Sequence, residues 1–452
     1  MAASDALALL AAATLAIALW AAPVRGQRLE LYAELWPVLP LFLLGYAQAG
    51  LYPGTGLGPV ESLRRISYVT LLTFLLLAGL SFALQVPYRF SRVTYAIALC
   101  LALLLVPLAR WLALAAVSRT RWWPEPVVVV TDEPERARQV SRALAEAPQL
   151  GYANRGFAWI GTGGSAEKLG ASEIWKDPEE AARHSGATVA LLASAEEATE
   201  ATLDRLQQLF HRVLVVRGFD DLPVEGIRVH NLGGFLGLEY TNNLLDSRNQ
   251  WLKRGLDLGL GAILLILSAP LLALATLAIQ FRSPGPAFFF QEREGRSRRR
   301  ILVPKIRTMV PGAEAKLEQA LAKDPALREE WSARMKLKTD PRLVPGVGGF
   351  LRRFSLDELP QLWSVVTGDM SLVGPRPFPD YHLEKFPARF QDLRRRVRPG
   401  LTGLWQITVR SAGPLERQQS LDTYYIRNWS LWLDLYILAR TAGAVLTGKG
   451  AY

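Results

Sequence analysis

Two adjacent acids, Asp357 and Glu358, stand in the stretch LRRFSLDELPQLWSVVTGDMSLVGPRP, residues 351–377. Neighbouring residues lie about 100° apart around a helix, so the two carboxylates cannot share one position, yet near a terminus they flank a common ligand from two sides. Such a pair suits phosphoryl chemistry, with one carboxylate holding a hard cation and the other attacking phosphorus. A diphosphate under attack needs its charge neutralised. The candidate cations are Lys305 and Arg307 in VPKIRTM, Arg352 and Arg353 just ahead of the dyad, and Arg376 between two prolines. Each arginine offers a planar fork for two phosphate oxygens. The prolines beside Arg376 hold its backbone and lower the entropy cost of presenting that fork. Asp369 in TGDM either adds a metal ligand or caps the turn after it.

A purely structural role for both acids competes with this reading. Ser355 lies three residues before Glu358, the spacing of a capping box at the head of a helix over 355–366. That start leaves Pro360 deep in the helix. A start at Asp357 puts Pro360 in the first turn, where its missing N–H costs no hydrogen bond. Spacing leaves both starts open.

Composition narrows the chemistry further. His184, His211, His230 and His382 show no metal-ligand spacing, so any metal is a hard cation on carboxylates and phosphate, which points to Mg2+. The lone Cys100 lies in an apolar block and reads as a small hydrophobe. A formal charge of +11, gathered beside apolar stretches, suits membrane lipids and nucleotide phosphates. No helix-turn-helix, finger or aromatic-interleaved strand motif occurs, so nucleic acid is not expected as a partner.

The elements that must carry these residues begin in a membrane. Apolar blocks at about 5–22, 34–52, 67–85 and 92–117 each approach the roughly 20 residues a bilayer needs. The first competes with a secretory signal, but the blocks behind it favour a span. Arg64 and Arg65 after the second block, with Arg110, Arg119 and Arg121 at the end of the fourth, set against Arg25, Arg28, Arg89 and Arg92, put both ends of this unit on the cytoplasmic side.

From Pro126 the strands PVVVV, GFAWIGTGG, ATVALLAS and HRVLVVRGF alternate with helical stretches, a βαβ pattern that predicts a Rossmann-like sheet over 126–235. Its dinucleotide fingerprint is degenerate, because the first strand turns through Thr131, Asp132 and Glu133 instead of glycines. A structural, oligomerising or regulatory module fits better than a dehydrogenase. An apolar run from about 256 to 281 then breaks at Ser268 and Pro270, which predicts a bent helix. It is either a plain kinked span or a re-entrant helix that leaves on the face it entered, anchored by Lys253, Arg254 and Arg282. Residues 428–446 are aromatic and amphipathic enough for an interface or a core.

KRGLD, SPGPAFFFQEREGR, KIRTM, the dyad stretch, RPGLTGLWQI and YYIRNWSLWLDLYIL occur in this order from Trp251 to Tyr452. In this the chain closely resembles the bacterial polyprenyl-phosphate hexose-1-phosphate transferases, the large form of the monotopic phosphoglycosyl transferases. The departures are Val303-Pro304 ahead of Lys305 and Ala269 between Ser268 and Pro270. The resemblance implies an α-helical membrane protein in three parts: a four-helix transmembrane domain (1–120), a degenerate Rossmann-like cytoplasmic domain (121–240) and a monotopic catalytic domain (241–452) with a re-entrant helix at about 256–280. It implies transfer of hexose 1-phosphate from a UDP-hexose, galactose or glucose, to undecaprenyl phosphate, with release of UMP, as the start of surface polysaccharide assembly. Asp357 would be the nucleophile of a ping-pong route and Glu358 a Mg2+ ligand, with Asp369 a further candidate. Lys305, Arg307, Arg352 and Arg376 would meet the substrate. The bacterial inner membrane is the expected location, and a homodimer formed through the 126–235 domain is one form left open. The competing functions are a noncatalytic scaffold of glycan assembly and a nucleotide-sugar-modifying oxidoreductase.

Overall fold

The apolar blocks near the N-terminus form helices α1 Ala2–Arg25, α2 Val38–Gln48, α3 Pro59–Ala83 and α4 Arg92–Val117 in the computed structural model. It describes residues 1–27, 37–83, 91–118, 120, 123–160, 173–194, 200–216, 227–231, 236–240, 243–334, 337, 340–408 and 414–447. Helices α1, α3 and α4 are long and apolar enough to cross a membrane. The helix in the described part of the second block, α2, has 11 residues. At 1.5 Å per residue it reaches only about 16 Å. Arg28, Arg89, Arg119, Arg121 and the glycine-rich residues 161–164 lie outside the described residues. Where α1 meets α4, Asp5 and Arg110 form a buried ion pair at 2.8 Å.

The chain divides into two compact units, residues 1–218 and 219–452. In the first, β1 Glu125–Thr131, β2 Tyr152–Trp159, β3 Glu173–Trp175, β4 Val189–Ala193 and β5 Arg212–Val215 form a parallel sheet in the order β3-β2-β1-β4-β5. Helices α5 Pro134–Glu146, α6 Pro178–His184 and α7 Glu200–Leu209 are its connections. Four consecutive valines, Val127 to Val130, are fully buried in central β1, as a parallel sheet covered on both faces requires. At its end the Thr131 hydroxyl donates to the Ala193 carbonyl at 2.8 Å, and Ser194 donates to Asp132 at 2.7 Å. Side chains thus fill the turn where glycines would admit a pyrophosphate.

The second unit opens with an antiparallel hairpin, β6 Ile227–Asn231 and β7 Leu236–Tyr240, then the 36-residue helix α8 Ser247–Arg282. An antiparallel ribbon follows, β8 Phe288–Glu294 and β9 Arg300–Ile306. Then come α9 Ala313–Lys323, α10 Pro325–Arg334, α11 Gly348–Arg353 and α12 Gln361–Thr367. Strand β10 Ser371–Val373 pairs in parallel with β11 Gly400–Thr402 across α13 Asp380–Leu383 and α14 Ala388–Arg394. Helices α15 Leu404–Thr408, α16 Leu415–Arg427 and α17 Leu431–Thr447 close the unit.

Helix α8 is tied to this unit at both ends. Near its start, Lys253 donates to Asp434 at 2.7 Å and to the Val373 carbonyl at 3.0 Å. The Asp434 carboxylate also accepts from the Tyr425 hydroxyl and Trp429 Nε1. Paired and hydrogen-bonded in this way, the buried charges are tolerated in a low-dielectric core. One turn on, Asp257 accepts from Ser371 Oγ and the Leu372 N–H. Near its end, Ala275 and Ile279 are buried against Ile306, Val344 and Leu351. Between these anchors Ile263, Ile266, Leu267 and Leu274 are exposed. Pro270 lies inside the helix, and the Ser268 hydroxyl donates to the Leu265 carbonyl.

Candidate active site

The dyad sits on a 3-10 turn, Leu356–Glu358, between α11 and α12. Neither helix start read from the sequence is the one that forms. Ser355 takes a left-handed conformation, φ 55°, and makes no side-chain capping bond. The Glu358 carboxylate, which a capping box would turn back towards Ser355, is taken by cations instead. The Glu358 and Leu359 N–H groups bond three residues back, to Ser355 and Leu356. Pro360 has no N–H to continue the ladder, and it becomes the N-cap of α12. The far end of α12 is fixed by Arg254, which donates to the Val365 and Val366 carbonyls at 2.6 and 2.7 Å, and by Arg398 on the Gly368 carbonyl. These cations satisfy carbonyls that a helix end leaves unpaired.

Lys305 from β9 and Arg376 from the turn after β10 converge on one oxygen of Glu358, Oε1, at 2.9 and 2.6 Å. Oε2 has only a long 3.5 Å contact with Arg376. Despite desolvation by burial, the charges of Arg376 and Lys305 and the hydrogen bonds they donate hold Glu358 down at about 2. Asp357 behaves in the opposite way. Burial first, and then the neighbouring Glu358 charge, push its carboxyl up to about 6, although Lys305 and Arg352 oppose the shift. Environment therefore moves the two adjacent acids in opposite directions, Glu358 down and Asp357 up, a pattern that acids with divided catalytic roles show.

The remaining candidates are placed differently. Arg352 is half-buried, donates to the Thr308 hydroxyl at 2.8 Å and acts on Asp357 through its charge. Arg307 donates to the Ser283 carbonyl, and its guanidinium fills the space beside Gly285, whose φ of 127° excludes other residues. It secures the loop after α8. Asp369 lies beyond the other end of α12, 3.7 Å from Arg299 and 3.5 Å from the Thr367 hydroxyl. Ser268 and Pro270 lie in the exposed middle of α8.

Sequence reading did not single out three residues that shape this site. Arg394 donates to the backbone carbonyl of Arg376 while its other arm binds Asp422 at 2.7 Å, both side chains buried. Arg293 from β8 lines a small cleft of about 20 Å³ together with Lys305, Arg376, Val303 and Gln361. Alternation along β8 was the available signal for Arg293, since Phe289, Gln291 and Arg293 pair with Lys305, Val303 and Ile301 and so share their face.

Among the described residues no three His, Cys, Asp or Glu side chains gather as a metal site. A hard cation here would have the two dyad carboxylates, with Glu358 Oε2 turned free of strong partners, and would complete its shell from phosphate and water. Magnesium is commonly bound in this way.

A pair of acids on a turn, cations that converge on it from β9 and from the turn after β10, and a helix of membrane length tied to the same unit suit a membrane-bound transferase of phosphorylated substrates. The pattern of the bacterial sugar transferase family matches residues 248–448. The chain is 33% identical to an undecaprenyl-phosphate galactose phosphotransferase of Salmonella typhimurium, over 81% of this chain and 77% of that protein. It is 32% identical to a UDP-galactose-lipid carrier transferase of Erwinia amylovora over the same shares. A UDP-glucose:undecaprenyl-phosphate glucose-1-phosphate transferase of Caulobacter vibrioides is 42% identical over 44% of this chain and 72% of its own length. The chain belongs to the bacterial sugar transferases, among the polyprenyl-phosphate hexose-1-phosphate transferases. With four apolar helices of membrane length among the described residues, it is a multi-pass protein of the bacterial inner membrane with a cytoplasmic catalytic domain.

Proposed function

We propose that this enzyme transfers hexose 1-phosphate from UDP-galactose or UDP-glucose to undecaprenyl phosphate and releases UMP, through a covalent intermediate on Asp357. The observation that carries this reading is the division within the dyad. Glu358 is neutralised by Lys305 and Arg376, whereas no other side chain among the described residues hydrogen-bonds the Asp357 carboxylate. An Asp357 oxygen attacks the sugar-bearing phosphorus, the bond to the bridging oxygen breaks, and that oxygen departs with UMP, carrying the electron pair. The lipid phosphate oxygen then attacks the same phosphorus and frees Asp357. Lys305 and Arg376 hold the phosphate oxygens as charge builds, and their fixed positions avoid reorganisation during the reaction. Mg2+, held by Glu358, would offset charge on the diphosphate and on departing UMP.

The same reading makes α8 re-entrant. Gly261 packs on Val365, where an added Cβ would lie 3.1 Å from the valine, and Ala275 packs on the ribbon and α11 side of the same unit. The 14 residue steps from one to the other reach about 21 Å even if straight, less than the roughly 30 Å of a hydrocarbon core. A helix anchored so at both ends enters and leaves on one face and keeps the dyad at headgroup depth. The decisive test is intact-protein mass spectrometry in nanodiscs with UDP-galactose or UDP-glucose and Mg2+, without lipid acceptor. A hexose-phosphate adduct on wild type and none on Asp357→Asn is expected. UMP release on adding undecaprenyl phosphate, with no adduct under any condition, would refute the covalent route in favour of direct transfer.

A further inference from the structure

Arg293 has a buried guanidinium nitrogen, Nη1, without a hydrogen-bond partner. Its other nitrogen, Nη2, donates to Gln291 Oε1, and the Tyr381 hydroxyl, Arg376 and Glu358 are further polar neighbours of the side chain. A buried unpaired N–H costs free energy in proportion to its lost hydration, and more so on a charged group. Such a group is therefore expected where a ligand supplies the acceptor. The cleft beside it is walled by Lys305 and Arg376, the cations of the dyad. Its position along the ribbon separates it from the lipid end. Phe288, Phe289 and Phe290 are exposed where β8 follows the end of the membrane helix. Arg293 lies four residues further along, about 13 Å away at 3.3 Å per residue, on the side from which a water-borne donor would arrive.

We propose that Arg293 is a further anion-binding residue of this site, and that its Nη1 donates to the nucleoside-side phosphate of the UDP-hexose and of product UMP. The inference rests on the substrate reading above and adds a division of labour to it. Lys305 and Arg376 serve the phosphorus that is transferred, and Arg293 serves the phosphate that leaves. The lipid acceptor, approaching from the phenylalanine end, does not use it.

Full-length protein in nanodiscs, wild type, Arg293→Gln and Arg293→Lys, tests this by three readouts: UMP binding by calorimetry, KM for the UDP-hexose, and KM for undecaprenyl phosphate. Loss of one charge-assisted hydrogen bond predicts UMP binding and donor KM weakened by about 10- to 100-fold in Arg293→Gln. Arg293→Lys should recover part of this, and the acceptor KM should stay within about twofold. Unchanged UMP binding in Arg293→Gln, or a rise in acceptor KM alone, would overturn the assignment. If Arg293→Gln loses its thermal transition, the comparison of Arg293→Lys with wild type decides the matter by the same UMP titration. Because UMP binding needs no turnover, failure of the substrate reading and failure of this inference remain separate results.

Discussion

Under the proposed covalent route, the division of roles in the dyad would make the first half-reaction pH-dependent. With the Asp357 carboxyl pushed up to about 6, by burial and then by Glu358, the proposed nucleophile is half ionised at that pH. One unit lower it is about one-tenth ionised, and one unit higher about nine-tenths. Single-turnover UMP release without lipid acceptor should therefore fall towards tenfold per pH unit on the acid side, with its midpoint near 6. Leaving out the acceptor matters, because a phosphate monoester titrates in the same range. Glu358→Gln removes the second cause of the shift and keeps the first. Its residual rate should have an acid limb displaced below 6 but still above the ordinary 3.8. A wild-type rate that is flat between pH 7 and 5, or a midpoint that rises in Glu358→Gln, would refute the electrostatic account of the nucleophile.

Three further outcomes follow from the same geometry. Asp357 binds its proton more tightly folded than unfolded, so its contribution to stability falls as pH rises from about 4 to about 6 and is flat above. Asp357→Asn should therefore abolish UMP release while its thermal midpoint at neutral pH stays equal to or above that of wild type. Asp422→Asn leaves Arg394 buried without its ion pair, which should destabilise the protein by about 3–5 kcal/mol. Because Arg394 also holds the Arg376 carbonyl, donor KM should rise in any of this variant that remains folded, as read by thermal melts beside UMP-release kinetics. Arg254→Ala uncovers the Val365 and Val366 carbonyls at the end of α12 and should cost about 1–3 kcal/mol in a denaturation series.

The membrane helices and the parallel sheet were legible because their signals are local: apolar runs of bilayer length and a valine strand followed by an amphipathic helix. The dyad was legible as chemistry, but its backbone was not. Ser355, Glu358 and Pro360 satisfy capping rules on paper, and the turn that forms depends on Lys305 and Arg376, 53 and 18 residues from Glu358. Arg376 stands apart in sequence by its flanking prolines and faces Glu358, whereas Arg307, read as a weaker candidate, anchors the Ser283 loop. Arg293 was masked by its surroundings, since EREGRSRRR reads as a solvated charge run until strand pairing selects one face. The Lys253–Asp434 pair joins residues 181 apart, a partnership no local pattern announces.

The double grip on Glu358 Oε1 also bears on how fast the site empties. In the free enzyme this carboxylate stands where a phosphate oxygen would, so the cations are already spaced for an anion before any substrate arrives. Donor entry is then an exchange of one anion for another, which moderates affinity without loosening geometry. In the proposed route the benefit falls at the end of the cycle: once the lipid phosphate has carried off the transferred phosphorus, Glu358 recaptures Lys305 and Arg376, and an internal competitor clears the cleft for the next donor.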